Sequence, residues 1–133
     1  MTKENLKEYL AIKEELKQIS YKLKELEERK TSIKSKIITD MPINFNGYIN
    51  NNSIDDLLIK IEECIEEYRK KEILLYNKQL EIEKAINILK ANERVIMRMR
   101  YIEGYKWDEI SIITNYSEEN IYKIHRNSLK KIL

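Results

Sequence analysis

The sequence predicts an all-α protein in which a long helical (coiled-coil) hairpin precedes a small helix-turn-helix domain. Three observations carry that expectation. Two Gly and one Pro in 133 residues leave a turn-hungry all-β fold almost no material to turn with. Apolar residues recur at heptad spacing through most of the first ninety positions. Beyond Ala91 the heptads stop, giving way to three shorter helical segments, each bounded by a capping or turn residue. The expected division is therefore a two-helix coiled-coil region over residues 1–90 and a helix-turn-helix domain over 91–133.

The first helix is written in a seam at 3,4 spacing through Tyr9, Ile12, Leu16, Ile19, Leu23, Leu26, Lys30, Ile33 and Ile37, flanked by mixed Lys and Glu. At 1.5 Å per residue, residues 9 to 37 extend about 43 Å. A loop is expected next, over 39–53, where Pro42, Gly47 and a run of Asn interrupt every helical period. Met41, Phe45 and Tyr48 give that loop the makings of either a linker or an exposed docking segment. Ser53, ahead of Asp55 and Asp56, reads as the N-cap of the second helix.

The second seam runs through Ile54, Leu58, Ile61, Ile65, Tyr68, Glu72, Leu75, Gln79, Ile82, Ile86 and Leu89, with Glu72 and Gln79 as polar breaks. Leu57, Ile73, Leu74 and Leu80 lie off the seam and widen its apolar surface. A stripe that wide has room for more than one neighbour: the first helix, a partner subunit or the C-terminal domain. A nearly continuous helix is expected to join the hairpin to the C-terminal domain, and the heptads are expected to assemble the chain as a homodimer.

In the C-terminal third, ANERVIMRMRYIEG reads as a helix with Asn92 as its N-cap. Val95, Ile96, Met99 and Ile102 form one face, and Gly104 takes the left-handed C′ position. KWDEISIIT comes next, with Trp107, Ile110 and Ile113 on a common side. After Asn115 and Tyr116, Ser117 caps a last helix whose first turn holds Glu118 and Glu119, where the helix dipole favours acids. Two helices about a three-residue turn, the second ending in basic residues, make a helix-turn-helix pattern.

Composition excludes several function classes. No apolar run approaches the roughly 20 residues of a membrane span, and MTKENLKEYL lacks a signal-peptide core, so a cytoplasmic, non-membrane protein is expected. A single cysteine, Cys64, and a single histidine, His125, provide neither an internal disulfide nor a metal-ligand cluster. Gly47 and Gly104 stand alone, so no phosphate-cradling loop is present. Neither an enzyme nor a cofactor is expected. The net charge of +2 hides a segmentation in which residues 1–38 and 91–133 are net positive and 53–90 net negative. Lys123, Arg126, Lys130 and Lys131 all come after the last acid, Glu119, forming a basic block that can meet phosphate or simply complement the helix dipole.

The stretch ERVIMRMRYIEGYKWDEISIITNYSEENIYKIHRNSLKKIL resembles region 4 of sigma-70 family factors, over roughly residues 92–132. The E-R-x-x-x-x-x-R-Y-x-E-G helix, the W-x-E-I start of the next helix, the Ser-capped third helix and the closing S-L-K-K-I carry the likeness. The W-D-E-I, N-Y-S and I-H-R-N-S-L-K-K segments, with the helical residues ahead of them, are similar to small phage-encoded sigma-like proteins of the ArpU type, which regulate late transcription. The resemblance implies a DNA-binding transcriptional regulator of phage or prophage origin whose partners are double-stranded DNA and RNA polymerase.

Projection of the last helix at 100° per residue puts Ile121, Ile124, Ser128, Leu129 and Ile132 on one side. Glu119, Lys123, Arg126, Asn127 and Lys130 lie opposite, with Tyr122 at the border. By resemblance, Glu118, Glu119, Tyr122 and Lys123 meet base edges and Arg126 comes after them, while Asn127, Lys130 and Lys131 complete the candidate DNA-binding set. Glu119 suits a cytosine amino group, and Lys123 and Arg126 suit guanine or phosphate. Primary sigma factors often carry Arg at the positions of Glu118 and Tyr122, so their −35 promoter element is not the expected target. His125, Trp107, Met97 and Met99 read as core residues, and Cys64 as a small hydrophobe near the second seam. Two rival functions remain open: a protein-only module that grips RNA polymerase or an anti-sigma-like partner, and a small-terminase-like DNA-packaging subunit.

Overall fold

The computed structural model describes residues 1–39 and 51–133, which form five helices with no strand among them. Helix α1 spans Lys3–Thr39 and α2 spans Asn51–Asn87. A short α3 (Ala91–Met97) runs on into a π-helical turn at Arg98–Ile102, and α4 (Trp107–Thr114) and α5 (Glu118–Ile132) close the chain. None of the described helices is long and apolar enough to cross a membrane.

Both long helices extend further into the expected loop than 39–53 allows. Thr39 still belongs to α1, and α2 begins at Asn51, so Ser53 lies inside its first turn and is not the N-cap. Once Ile54 and Leu58 anchor a helix, adding Asn51 and Asn52 costs far less than nucleating a new one. The remainder of the expected loop, including Met41, Phe45 and Tyr48, lies outside the described residues.

The long helices pair with each other along the heptad seams, and the compact units cut across both of them. One unit is Leu16–Leu74; the other joins Met1–Glu15 to Leu75–Leu133. In the first, Leu16, Ile19, Leu23 and Leu26 of α1 are buried, as are Ile61 and Ile65 of α2. Glu27 accepts from Arg69 at 3.2 Å and Lys30 pairs with Glu62, so the register falls along α2 as it rises along α1. That is an antiparallel hairpin. Lys30, the polar member of its seam, is thereby partnered across the helix pair.

In the other unit, Leu6 and Tyr9 of α1 share one core with Ile82 and Ile86 of α2 and with Leu89, Met97, Tyr101 and Ile102. Leu6 is fully buried and extends the seam one step before Tyr9, at the same 3,4 spacing. The Tyr9 hydroxyl donates to Glu83 at 2.7 Å; burial and that carboxylate push its pKa up to about 12. A second core joins Ile96, Ile110 and Ile121, one residue from each of α3, α4 and α5.

The helix from the hairpin into the C-terminal third is not continuous. It stops at Asn87, and Lys90 is extended at ψ 160°. Leu89 donates back to the Ile86 carbonyl at 3.1 Å, which turns Leu89 into the core, and Arg94 Nη1 donates to the Asn87 carbonyl at 3.4 Å. The N-cap of α3 is accordingly Lys90 rather than Asn92, whose side-chain oxygen accepts from the Glu93 N–H at 2.9 Å.

The buried face of this segment, which contains the π-helical turn, also differs from the expected one. An α-helical projection selects Val95, Ile96, Met99 and Ile102, but Val95 is exposed, and Ile96, Met97, Tyr101 and Ile102 are the buried apolar residues. Val95 and Met97 precede that turn, so the inward side of α3 is already the one bearing Glu93, Ile96 and Met97; the i→i+5 bond from the Glu103 N–H to the Arg98 carbonyl (2.9 Å) then widens the turn, and Tyr101 and Ile102 follow on the buried side. Gly104 sits at C′ with φ 80°, as the sequence predicts; a Cβ there would also sit 3.1 Å from Leu10 Cδ1.

Candidate nucleic-acid interface

Each end of the α4–α5 turn is chemically specified. Asn115 closes α4 in the left-handed region at φ 61°, a conformation Asn tolerates because its short side chain bonds locally. Ser117 is extended, and its hydroxyl accepts from the Asn120 N–H at 3.2 Å, so α5 begins at Glu118 with Glu118 and Glu119 in its first turn. Ser111 donates to the Tyr116 carbonyl at 2.6 Å and ties the turn to α4. On the other side of the projection, Ile113 is exposed, so α4 anchors through Ile110 and the half-buried Trp107 alone.

Three groups hold α5 against the rest of the domain. Ile121 is fully buried, and Ser128, also fully buried, donates to the Ile124 carbonyl at 2.7 Å. Glu93, 5% exposed, takes the Lys131 ammonium at 2.6 Å and the Ser128 hydroxyl at 3.3 Å. The Lys131 bond is the main reason that its carboxyl titrates below the usual glutamate value. Sequence reasoning missed Glu93 as an anchor, although it opens the E-R motif; nothing local distinguishes a buried acid from an exposed one on so charged a chain. His125 is buried, with Nε2 at 2.7 Å from the Tyr101 hydroxyl and Trp107 edge-on at 4.7 Å. Burial first, then the charges of Lys3 and Arg100, lower its pKa to about 4, so it is neutral at pH 7.

The opposite face of α5 is open. Glu118, Glu119, Lys123, Arg126, Asn127 and Lys130 are all exposed. Tyr122 is exposed, and its ring packs edge-on against Trp107 at 5.4 Å. Lys131 alone among the expected contact residues has its charge already met, by Glu93. Arg100, given no role by sequence, lies 4.6 Å over the Trp107 ring and donates to the Tyr105 carbonyl at 3.1 Å. Its place in the R-Y-x-E-G motif was the available signal.

A helix-turn-helix with one buried and one polar, cation-bearing face on its second helix is the shape of a groove reader. Residues 79–132 match the family model of sigma-70, region 4. No curated protein and no solved structure matches the chain. The match begins earlier than the likeness over 92–132, inside the last turns of α2. Ile82, Ile86 and Leu89, which the heptads assign to the coiled coil, are packed into the core of this sigma region 4-like part. Among the described residues no cluster of His, Cys, Asp or Glu is arranged to hold a metal ion.

Proposed function

We propose that the protein is a DNA-binding transcriptional regulator of the sigma-like type, phage or prophage derived, which inserts α5 into the major groove. The observation that carries this reading is the exposed row Glu119, Lys123, Arg126 and Lys130, set on a Ser-capped helix opposite its buried Ile121 and Ser128, within the stretch that matches sigma-70 region 4. Glu118, Glu119, Tyr122 and Lys123 occupy the first two turns, where a helix entering the groove meets base edges; Arg126 and Asn127 come next. Lys130 lies further along and serves the backbone. Lys131 reaches phosphate only by sharing its ammonium with Glu93. In this reading residues 91–133 address DNA and residues 1–90 assemble the chain as a homodimer, doubling the contact set.

Selection of binding sites from random duplex DNA by the full chain tests it. Recovery of a defined site distinct from the −35 promoter element is the expected result, and recovery of none at low salt would sink the reading.

A second reading, a protein-only module gripping RNA polymerase or an anti-sigma-like partner, draws on Ile112 and Ile113, which α4 exposes side by side. Polymerase binding that survives loss of the α5 cations, with no DNA binding at any salt, would favour it. A ring-shaped oligomer would favour a small-terminase-like packaging subunit instead.

A further inference from the structure

An α-helix with its side chains is about 10–12 Å across, and the major groove is about 12 Å wide. A helix seated there has a phosphate backbone along each flank. Both flanks of α5 are hollow. Tyr122 and His125 line a cleft of about 520 Å³ on one side, and Asn127 and Lys130 line one of about 380 Å³ on the other. At 100° per residue Tyr122 and Asn127 point about 140° apart, with Glu119, Lys123 and Arg126 between them.

The first cleft is walled on its far side by the opening turns of α1. Lys3 and Lys7 line it there, Arg100 and Trp107 complete it, and no carboxylate contributes to the lining. Lys3 and Lys7 are exposed, and neither makes an ion pair among the described residues, in contrast to Lys30 and Lys131. Arg100 is fixed by Trp107 and the Tyr105 carbonyl, so its charge is held in place rather than swept through solvent. Three cations therefore line one open space that, among the described residues, has no carboxylate in its walls. Burial is the main cause of the lowered His125 pKa, and the nearby charges of Lys3 and Arg100 add to it.

We propose that Lys3, Lys7 and Arg100 bind the phosphate backbone of the DNA strand that runs along the Tyr122 flank of α5. This rests on α5 occupying the major groove. It makes the first two turns of α1 part of the DNA-gripping surface, although the later heptads serve the hairpin. An acidic protein segment would satisfy the same charge, but the cleft lies against the flank of a groove-sized helix, where a duplex brings phosphate.

The test uses the full chain with Lys3 and Lys7 both changed to Ala, both changed to Arg, and, as comparator, Lys123→Ala with Arg126→Ala. Affinity for a labelled duplex is measured against salt, and phosphate-ethylation interference is mapped on a selected site. The double Ala variant at Lys3 and Lys7 should lower the slope of log K against log[salt] by about 2 per bound protomer. It should lose interference at one group of phosphates beside the α5 site and keep its base preference; the Arg pair should restore both. Equal thermal midpoints would show that the exposed lysines leave the fold intact. A wild-type slope and ethylation pattern in the Ala variant, with loss in the α5 comparator, overturns this inference and leaves the α5 reading standing. No duplex binding by the unsubstituted chain, with binding to polyglutamate abolished in the Ala variant, overturns both.

Discussion

His125 shows what burial does to one titratable group. With its pKa lowered to about 4, the folded protein holds the imidazole neutral over a range in which the unfolded chain, titrating near 6.5, takes up a proton. The folded state binds fewer protons, so the His125 contribution to stability is whole above pH 6.5 and is lost progressively as pH falls to 4, for a total of about 3 kcal/mol. Glu93 acts lower still. Its carboxyl, held below 4.5 chiefly by Lys131, contributes stability that is lost as pH falls through its folded value. Chemical denaturation from pH 7 to 4 should show a falling free energy of unfolding, and His125→Gln should flatten the part between 6.5 and 4; an unchanged slope would remove His125 from the account. Ser117→Ala should cost about 1 kcal/mol by unbinding the Asn120 N–H at the start of α5.

The helix ends decide how the C-terminal elements are placed. Gly104→Ala forces a side chain into a φ of 80° and brings its Cβ against Leu10, the flexible end of which can give way. The backbone penalty of about 1–2 kcal/mol therefore dominates, and it should appear as an equivalent drop in unfolding free energy that Leu10→Ala does not rescue. On α5, position along the helix should separate specificity from affinity. Glu119→Ala should relax preference at one base pair, by about 1–3 kcal/mol of discrimination, whereas Lys130→Ala should weaken all sequences alike and lower the salt slope by about one. Sites selected by the two variants decide the matter. If Glu119→Ala keeps the wild-type site while Lys130→Ala changes it, α5 docks differently from the proposal.

For the molecule as a whole, the seam residues are spent within the chain, which redirects the search for a dimer interface. Leu23 and Leu26 are buried in the intramolecular hairpin, while Ile59, Ile73 and Leu74 of α2 stay exposed. Leu23→Asp should thus unfold the hairpin, at a cost of several kcal/mol, rather than release an intact subunit. Ile73→Glu should leave the thermal midpoint near wild type and turn a dimer into a monomer in sedimentation equilibrium. A wild-type monomer at roughly tens of micromolar would refute the homodimer, since seam burial needs no second copy.

The sequence by itself determined the helices, their order and the chemistry of the open face of α5. Heptads from Tyr9 to Ile37 and from Ile54 to Leu89, Gly104 at a left-handed C′ and Ser117 as a cap are local signals, and the helical elements they announce are present. The tertiary structure decided which apolar stripe meets which. Periodicity states that a face is apolar and is silent on its partner, so Tyr9, Ile82 and Ile86 looked like coiled coil until they shared a core with Met97 and Tyr101. The same holds for polar groups: Glu93 became an anchor and Lys131 lost its free charge through contacts more than thirty residues apart. Lys3 and Lys7 share a cleft with Tyr122 and His125 because Leu6 and Tyr9, on the same turns of α1, pack with Ile82, Ile86 and Tyr101. Such pairings are settled by packing between distant segments, which no local spacing records.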